Sequence, residues 1–124
     1  MITISGKVIH GDGYGKVLGF PTANLDRREY LWKKMKVKFG VYSGISILSS
    51  GKKYKAGITI GPIDSKGLPK LEAYLIGFSG NLYGKKITII LQKYLRGWIN
   101  FGGNEEALKK QLQKDILKIK NLFK

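Results

Sequence analysis

The residues of this chain best suited to chemistry lie in Gly11-Asp12-Gly13-Tyr14-Gly15-Lys16-Val17-Leu18-Gly19-Phe20-Pro21-Thr22-Ala23-Asn24. Four glycines, Gly11, Gly13, Gly15 and Gly19, fall within nine residues. Glycine lets backbone amides approach an anion closely and adopt dihedrals closed to other residues, which is how loops cradle phosphate. Pro21 then fixes the backbone ahead of two short oxygen-bearing side chains, Thr22 and Asn24. Neutral oxygens of this kind suit Mg²⁺ when phosphates carry most of the charge. Lys16 is the nearest cation able to reach a phosphate from within the loop, and a solvated lysine is an equal reading. The block points towards phosphoryl transfer, although a glycine cluster alone is more often a surface turn.

The commoner nucleotide loops do not fit. A Walker A loop ends in Gly-Lys-Ser/Thr, whereas Gly15-Lys16 is followed by Val17. A dinucleotide loop opens a βαβ unit, and no helical periodicity follows Asn24. A protein-kinase glycine loop belongs to a much longer chain with further signatures, none of which occurs here.

Glu72 is the second residue of chemical interest. It is the one charge in Leu71-Glu72-Ala73-Tyr74-Leu75-Ile76. A carboxylate in a dry strand is costly, by several kcal/mol or more, unless it is paired or solvated. It should therefore line a cleft or point outwards. Trp98 and Phe101 flank Gly97, Gly102 and Gly103, a setting that suits a flat amphipathic ligand and equally suits anchoring a helix. His10 has no partner at metal-ligand spacing, so a structural role is expected.

These residues need a scaffold, and the pattern around them is mostly β. Ile2, Ile4 and Val8 alternate with polar residues ahead of the glycine loop. From Val37 to Ile47 the odd positions Val37, Phe39, Val41, Ile45 and Ile47 form an apolar face, and Ser50-Gly51 predicts a hairpin into Tyr54, Ala56, Ile58 and Ile60. Asp64 to Gly67 predicts a turn before a strand from Leu71 to Phe78, Ser79 to Asn81 another turn, and Ile87 to Leu91 is strongly β-prone. Only the C-terminus changes period. Asn104 can cap a helix whose Leu108, Leu112, Ile116, Ile119 and Phe123 share one face. Short strands plus one amphipathic helix suggest a small antiparallel barrel capped by that helix, and the pattern does not separate barrel from sandwich.

Composition narrows the classes. At 124 residues the chain fits one domain. It has no cysteine, which excludes disulfides and thiolate metal sites and is compatible with a cytoplasmic location. Its apolar runs are far shorter than a membrane span, and Met1 leads into a strand pattern and not a signal peptide. Twenty-three Lys and Arg against eight Asp and Glu give +15, a balance that favours polyanions. Only Arg27, Arg28 and Arg96 are arginines, and the lysines are spread along the chain, as on a solvated surface.

Leu18-Gly19-Phe20-Pro21-Thr22-Ala23-Asn24 resembles the signature of the riboflavin kinases (flavokinases), including the kinase module of bifunctional bacterial FAD synthetases. The resemblance continues through Gly40-Val41-Tyr42-Ser43-Gly44, Glu72, Leu82-Tyr83-Gly84 and Leu95-Arg96 to the segment Leu108 to Asp115. It implies a six-stranded antiparallel Greek-key barrel with a C-terminal α-helix packed outside. The whole of 1–124 would be one domain, with the barrel over about 1–96 and a flap and helix over about 97–124. It implies transfer of the γ-phosphate of ATP to the 5′-hydroxyl of riboflavin, giving FMN and ADP.

Under that resemblance Gly11, Gly13, Gly15, Lys16, Gly19, Pro21, Thr22 and Asn24 bind the nucleotide. Thr22 and Asn24 hold Mg²⁺ or another divalent metal, Glu72 is the general base, Arg96 belongs to the catalytic flap (a surface ion pair being an equal reading of it), and Trp98 and Phe101 meet the flavin. A monomer is expected, with neither membrane nor nucleic acid as partner, standing alone or behind an FMN adenylyltransferase domain. Three positions depart from the family pattern: Tyr14 replaces an arginine, Ile60-Gly61-Pro62-Ile63 lacks the usual Pro-Thr-Phe, and Gly77 replaces an acid. Two other classes stay open, a basic nucleic-acid-binding barrel and a flavin-binding module without turnover.

Overall fold

The computed structural model describes residues 2–10 and 22–122. The predicted phosphate-loop residues Gly11, Gly13, Gly15, Lys16, Gly19 and Pro21, together with Tyr14 and Phe123, lie outside the described residues. The described residues form six strands: β1 (Ile2–Ile9), β2 (Ala23–Leu25), β3 (Gly40–Leu48), β4 (Lys53–Ile63), β5 (Pro69–Leu75) and β6 (Lys86–Arg96). A five-residue helix α1 (Arg28–Trp32) follows β2, and α2 (Glu105–Leu122) ends the described chain.

The strands close into an antiparallel barrel in the order β1-β2-β5-β4-β3-β6. Strands β3, β4 and β5 form a meander, and β6 returns to lie beside β3, which is the Greek-key arrangement. Alternation along each strand fills the interior. Ile4 and Val8 of β1, Leu25 of β2, Ala56, Ile58 and Ile60 of β4, Leu71, Ala73 and Leu75 of β5 and Ile87, Ile89 and Leu91 of β6 are all buried there. Gly6 is required by the close approach of β1 to the end of β2. A Cβ at that position would lie 2.7 Å from the Asp26 carbonyl oxygen.

Several elements differ from the sequence reading. β2 and α1 are both too short to show a period, so neither was expected. α1 begins where the Asp26 carboxylate accepts the Arg28 amide at 2.9 Å, a local turn that competes with extension. In β3 the interior phase is carried by the even positions, with Tyr42 and Ser46 buried in the barrel, and not by the odd ones. The odd residues Val41 and Ser43 are also buried, on the strand's other face. β5 stops at Leu75, earlier than expected, and β6 runs on to Arg96.

The turns and the cap follow the sequence. Gly51 donates to the Leu48 carbonyl at 2.8 Å, and Gly67 to that of Asp64 at 3.0 Å. Asn104 Oδ1 accepts the Ala107 amide at 3.0 Å, satisfying one of the orphan donors at the start of α2. The helix packs on the barrel through Ile119, which is 0% exposed. Its Cδ1 lies where a Cβ on Gly57 of β4 would stand 3.2 Å away, so the glycine lets the helix sit close.

Candidate functional site

The ladder brings two of the predicted residues together. Ala23 pairs with Ala73 and Asn24 with Glu72, so Asn24 and Glu72 are direct cross-strand neighbours. Their alternation partners Leu25, Leu71 and Ala73 point inwards, which sets both polar side chains on the outer face. Side chains in directly opposed positions stand about 4.5–5.5 Å apart at Cβ. On its other side Glu72 pairs with Thr59 of β4. The sequence expectation that Glu72 lines a cleft or faces out is met in both senses. It is half-buried, and it borders a depression on each side.

Three depressions meet at this point. The first, of about 220 Å³, lies between the barrel wall and α2. The barrel side is formed by Thr22, Val41, Gly57, Thr59, Glu72 and Tyr74, and the opposite wall by Leu108, Leu112 and Ile116 of α2. Trp98, Ile99 and Phe101 stand at its rim from the connection between β6 and α2. Its lining is mostly apolar with a polar edge, as small-molecule clefts usually are. The second runs past Asn24, Arg27, Asp64, Lys70 and Glu72, and the third past His10, Thr22, Asn24, Tyr74 and Tyr83. Thr22 borders the first and third, Glu72 the first and second, and Asn24 the second and third. The Asn24 amide nitrogen donates to the Thr22 carbonyl at 3.5 Å, a long contact.

Arg96 is in the cavity lining, and its guanidinium is held by Asp115 of α2. Nε lies 3.1 and 3.2 Å from the two carboxylate oxygens, and Nη2 lies 2.7 Å from Oδ2. Gln111 adds a hydrogen bond to Asp115 Oδ1 at 3.0 Å, and Arg96 Nη1 donates to the Gly97 carbonyl at 3.1 Å. Asp115 is 7% exposed. Sequence reasoning assigned no role to Asp115 or Gln111. The available signal was a lone acid three residues after Leu112 and four before Ile119, on the inward stripe of a lysine-rich helix.

A second ion pair braces the opposite side. Arg27, just after β2, pairs with Asp64 in the β4–β5 turn, and both side chains are largely buried. Asp64 Oδ1 also accepts the Lys66 and Leu68 amides at 2.9 and 3.2 Å. The Arg27 hydrogen bond above all, aided by these amides against a partial desolvation, holds the Asp64 carboxyl down at about 2. His10 stacks on Tyr83 with ring centroids 3.8 Å apart, as its expected structural role suggests.

Among the described residues, no group of three or more His, Cys, Asp or Glu could hold a metal ion. Thr22 and Asn24 offer neutral oxygens with the Glu72 carboxylate beside them. This oxygen-only, weakly charged set fits a hard cation that arrives with a polyphosphate, not a tightly held resident ion. No helix of the described residues is long and apolar enough to cross a membrane.

A closed Greek-key barrel with an outer helix and a cleft between them is the fold of a known class of protein. The sequence profile of that class, described as Flavokinase: Riboflavin kinase, matches residues 1–123. The chain belongs to this family. It is similar to the bifunctional riboflavin kinase/FMN adenylyltransferase of Buchnera aphidicola subsp. Schizaphis graminum, with 37% identity over 98% of the chain. The chain spans 38% of that relative's length. Among solved structures, riboflavin kinase from Trypanosoma brucei shares the fold with a TM-score of 0.69 at 22% identity, covering 97% of this chain and 78% of that one. A structure titled macrolide-efflux protein from Streptococcus pneumoniae gives a TM-score of 0.80 at 25% identity, over 96% of this chain and 38% of that one.

Proposed function

We propose that this chain phosphorylates riboflavin, moving the γ-phosphate of ATP to the 5′-hydroxyl to give FMN and ADP. One observation carries it: Glu72, Thr22 and Asn24 stand where a mostly apolar cleft meets two grooves of mixed polar and apolar lining, one of which carries Arg27, Lys66 and Lys70. A flat ring system suits the cleft, a polyphosphate suits the grooves, and the reacting atoms would then meet at the junction. The hydroxyl oxygen attacks the γ-phosphorus while the bond to the β–γ bridging oxygen breaks, releasing ADP. The hydroxyl proton passes to the Glu72 carboxylate, a transfer that contributes about 10²–10⁴-fold in rate. Because phosphoryl transfer proceeds through a loose transition state, the rest of the work is alignment and charge placement.

Thr22 and Asn24 would hold Mg²⁺, which when bound neutralises charge on the terminal phosphates. Gly11, Gly13, Gly15, Lys16, Gly19 and Pro21 are assigned to the phosphate loop on the strength of the sequence pattern. Trp98 and Phe101 are assigned to the flavin edge, and Arg96 to the flap that closes beside it. The chain is proposed to act as one domain and a monomer, in the cytoplasm, with an FMN adenylyltransferase domain, fused or separate, as consumer of its product. FAD synthesis is outside the proposal, since these residues account for phosphoryl transfer alone.

The test is chromatographic: the folded protein with riboflavin, ATP and Mg²⁺ should yield FMN and ADP in equal amounts. No FMN across divalent metals and nucleotide donors, from a protein with a β-rich dichroism spectrum and a cooperative melt, would overturn the proposal.

A further inference from the structure

The connection from β6 to α2 is closed into a ring by side chains. Arg96 is the last residue of β6, and Asp115 lies in the third turn of α2. Their bidentate pair ties the end of β6 to the body of α2, across the segment that carries Trp98, Ile99 and Phe101 to the rim of the cleft. The strap itself holds little in place: Trp98 is 53% and Ile99 40% exposed. Asn100 Oδ1 accepts the Gly102 amide and Asn104 donates to the Phe101 carbonyl, both local turns. The Arg96–Asp115 pair thus ties the strap to the barrel by a directed contact, beside the packing of Ile119 over Gly57 that seats α2. A fork of two parallel charge-assisted bonds fixes orientation as well as distance, which a single contact does not. Gln111 supports Asp115 from the preceding turn with a hydrogen bond to Oδ1.

We infer that Asp115 is a positioning residue of the flavin site: by clasping Arg96 it holds the strap, with Trp98 and Phe101, in the conformation that receives the ring. The inference deepens the flavin reading above and rests on it. Asp115 touches neither substrate nor reacting atoms in this account. It raises the fraction of molecules whose cleft is formed before the flavin arrives, and apparent affinity scales with that fraction. Ring binding should then depend on the clasp, while nucleotide binding, on the far side of Glu72, should not.

The experiment compares Asp115→Asn, Arg96→Lys and the exchanged pair Arg96→Asp/Asp115→Arg with the parent, all in a Trp32→Phe background so that Trp98 is the single indole. Riboflavin binding is read by quenching of flavin and Trp98 emission, and steady-state FMN formation gives KM for each substrate and kcat. Asp115→Asn should weaken riboflavin binding and raise its KM about tenfold or more, leaving the ATP KM within about twofold. Arg96→Lys keeps the charge without the fork and should show the same split, smaller. The exchanged pair should recover part of the loss, which mere loosening of the fold would not produce.

A folded Asp115→Asn that binds riboflavin like the parent overturns the inference alone. A fall in kcat with unchanged riboflavin affinity also overturns it, by making Arg96 act on the phosphate. Should Asp115→Asn fail to fold, Arg96→Lys decides by the same split. A parent that binds no riboflavin overturns the flavin reading, and this inference with it.

Discussion

The two walls of the cleft are built differently. The barrel wall, with Glu72, Thr59 and Val41, is held by main-chain ladders: β4 and β5 pair through six registers and β3 and β4 through eight. The α2 wall rests on side chains, with Ile119 seated over Gly57 and the Arg96–Asp115 pair at the near end. A backbone ladder fixes its residues to within fractions of an ångström whatever their side chains are, whereas a docked helix depends on each contact. Under the proposed function, then, chemistry falls on the ladder-held wall and ligand capture on the wall held by side chains. Substitutions should sort accordingly, with rate lost on one side and affinity or stability on the other.

The largest expected effect is on the barrel wall. Glu72→Gln should lower FMN formation by about 10²–10⁴-fold with riboflavin binding within a few-fold of the parent, measured by turnover alongside fluorescence titration. A variant that loses flavin binding as much as turnover would break the division of labour. On the helix wall, Ile119→Ala removes a fully buried side chain and should destabilise the fold by about 2–5 kcal/mol in urea unfolding. An unchanged midpoint would mean that α2 contributes nothing to the fold. Next in size, Asn104→Ala deletes the α2 cap and should cost about 1 kcal/mol by the same measurement, without altering kcat.

The smallest effect is a dependence on acid. The Asp64 carboxyl is held at about 2 when folded, below its ordinary 3.8. Between those values the unfolded chain binds more protons than the folded one, so stability falls as pH falls. The Arg27 pair should contribute fully above about pH 4 and be lost as pH drops towards 2. Asp64→Asn should flatten that part of the stability profile. A profile identical to the parent's would show that the pair is not felt by the fold.

Much of this was legible in the sequence because alternation reports burial directly. Ile4 and Val8, and Ala56, Ile58 and Ile60, which the alternation had set on one face, are all buried in the barrel, and the segments from Leu71 and Ile87 are strands as expected. β3 misled because both of its faces are covered. Ser46 points into the barrel and Val41 into the cleft under α2, so the odd-numbered apolar stripe was not the core stripe. β2 escaped notice because three residues have no period, yet it carries Asn24 to Glu72. Asp115 escaped because a single acid among lysines looks like surface until its partner, 19 residues away, is brought alongside by the fold. Ladder partners and ion pairs of this kind depend on three-dimensional register, which no local window contains.

β2 has one more consequence. It is the seam at which the barrel shuts, joined by two register pairs to β1 and two to β5, where its neighbours interlock over most of their length. Amide hydrogens at Ala23 to Leu25 should exchange with solvent sooner than those of β3 or β4, since a short seam parts more readily than a long one. Anything bound through Asn24 has to be released before the seam can part, so occupancy and closure are thermodynamically linked. The barrel would then be tightest when it is working and easiest to open when it is empty.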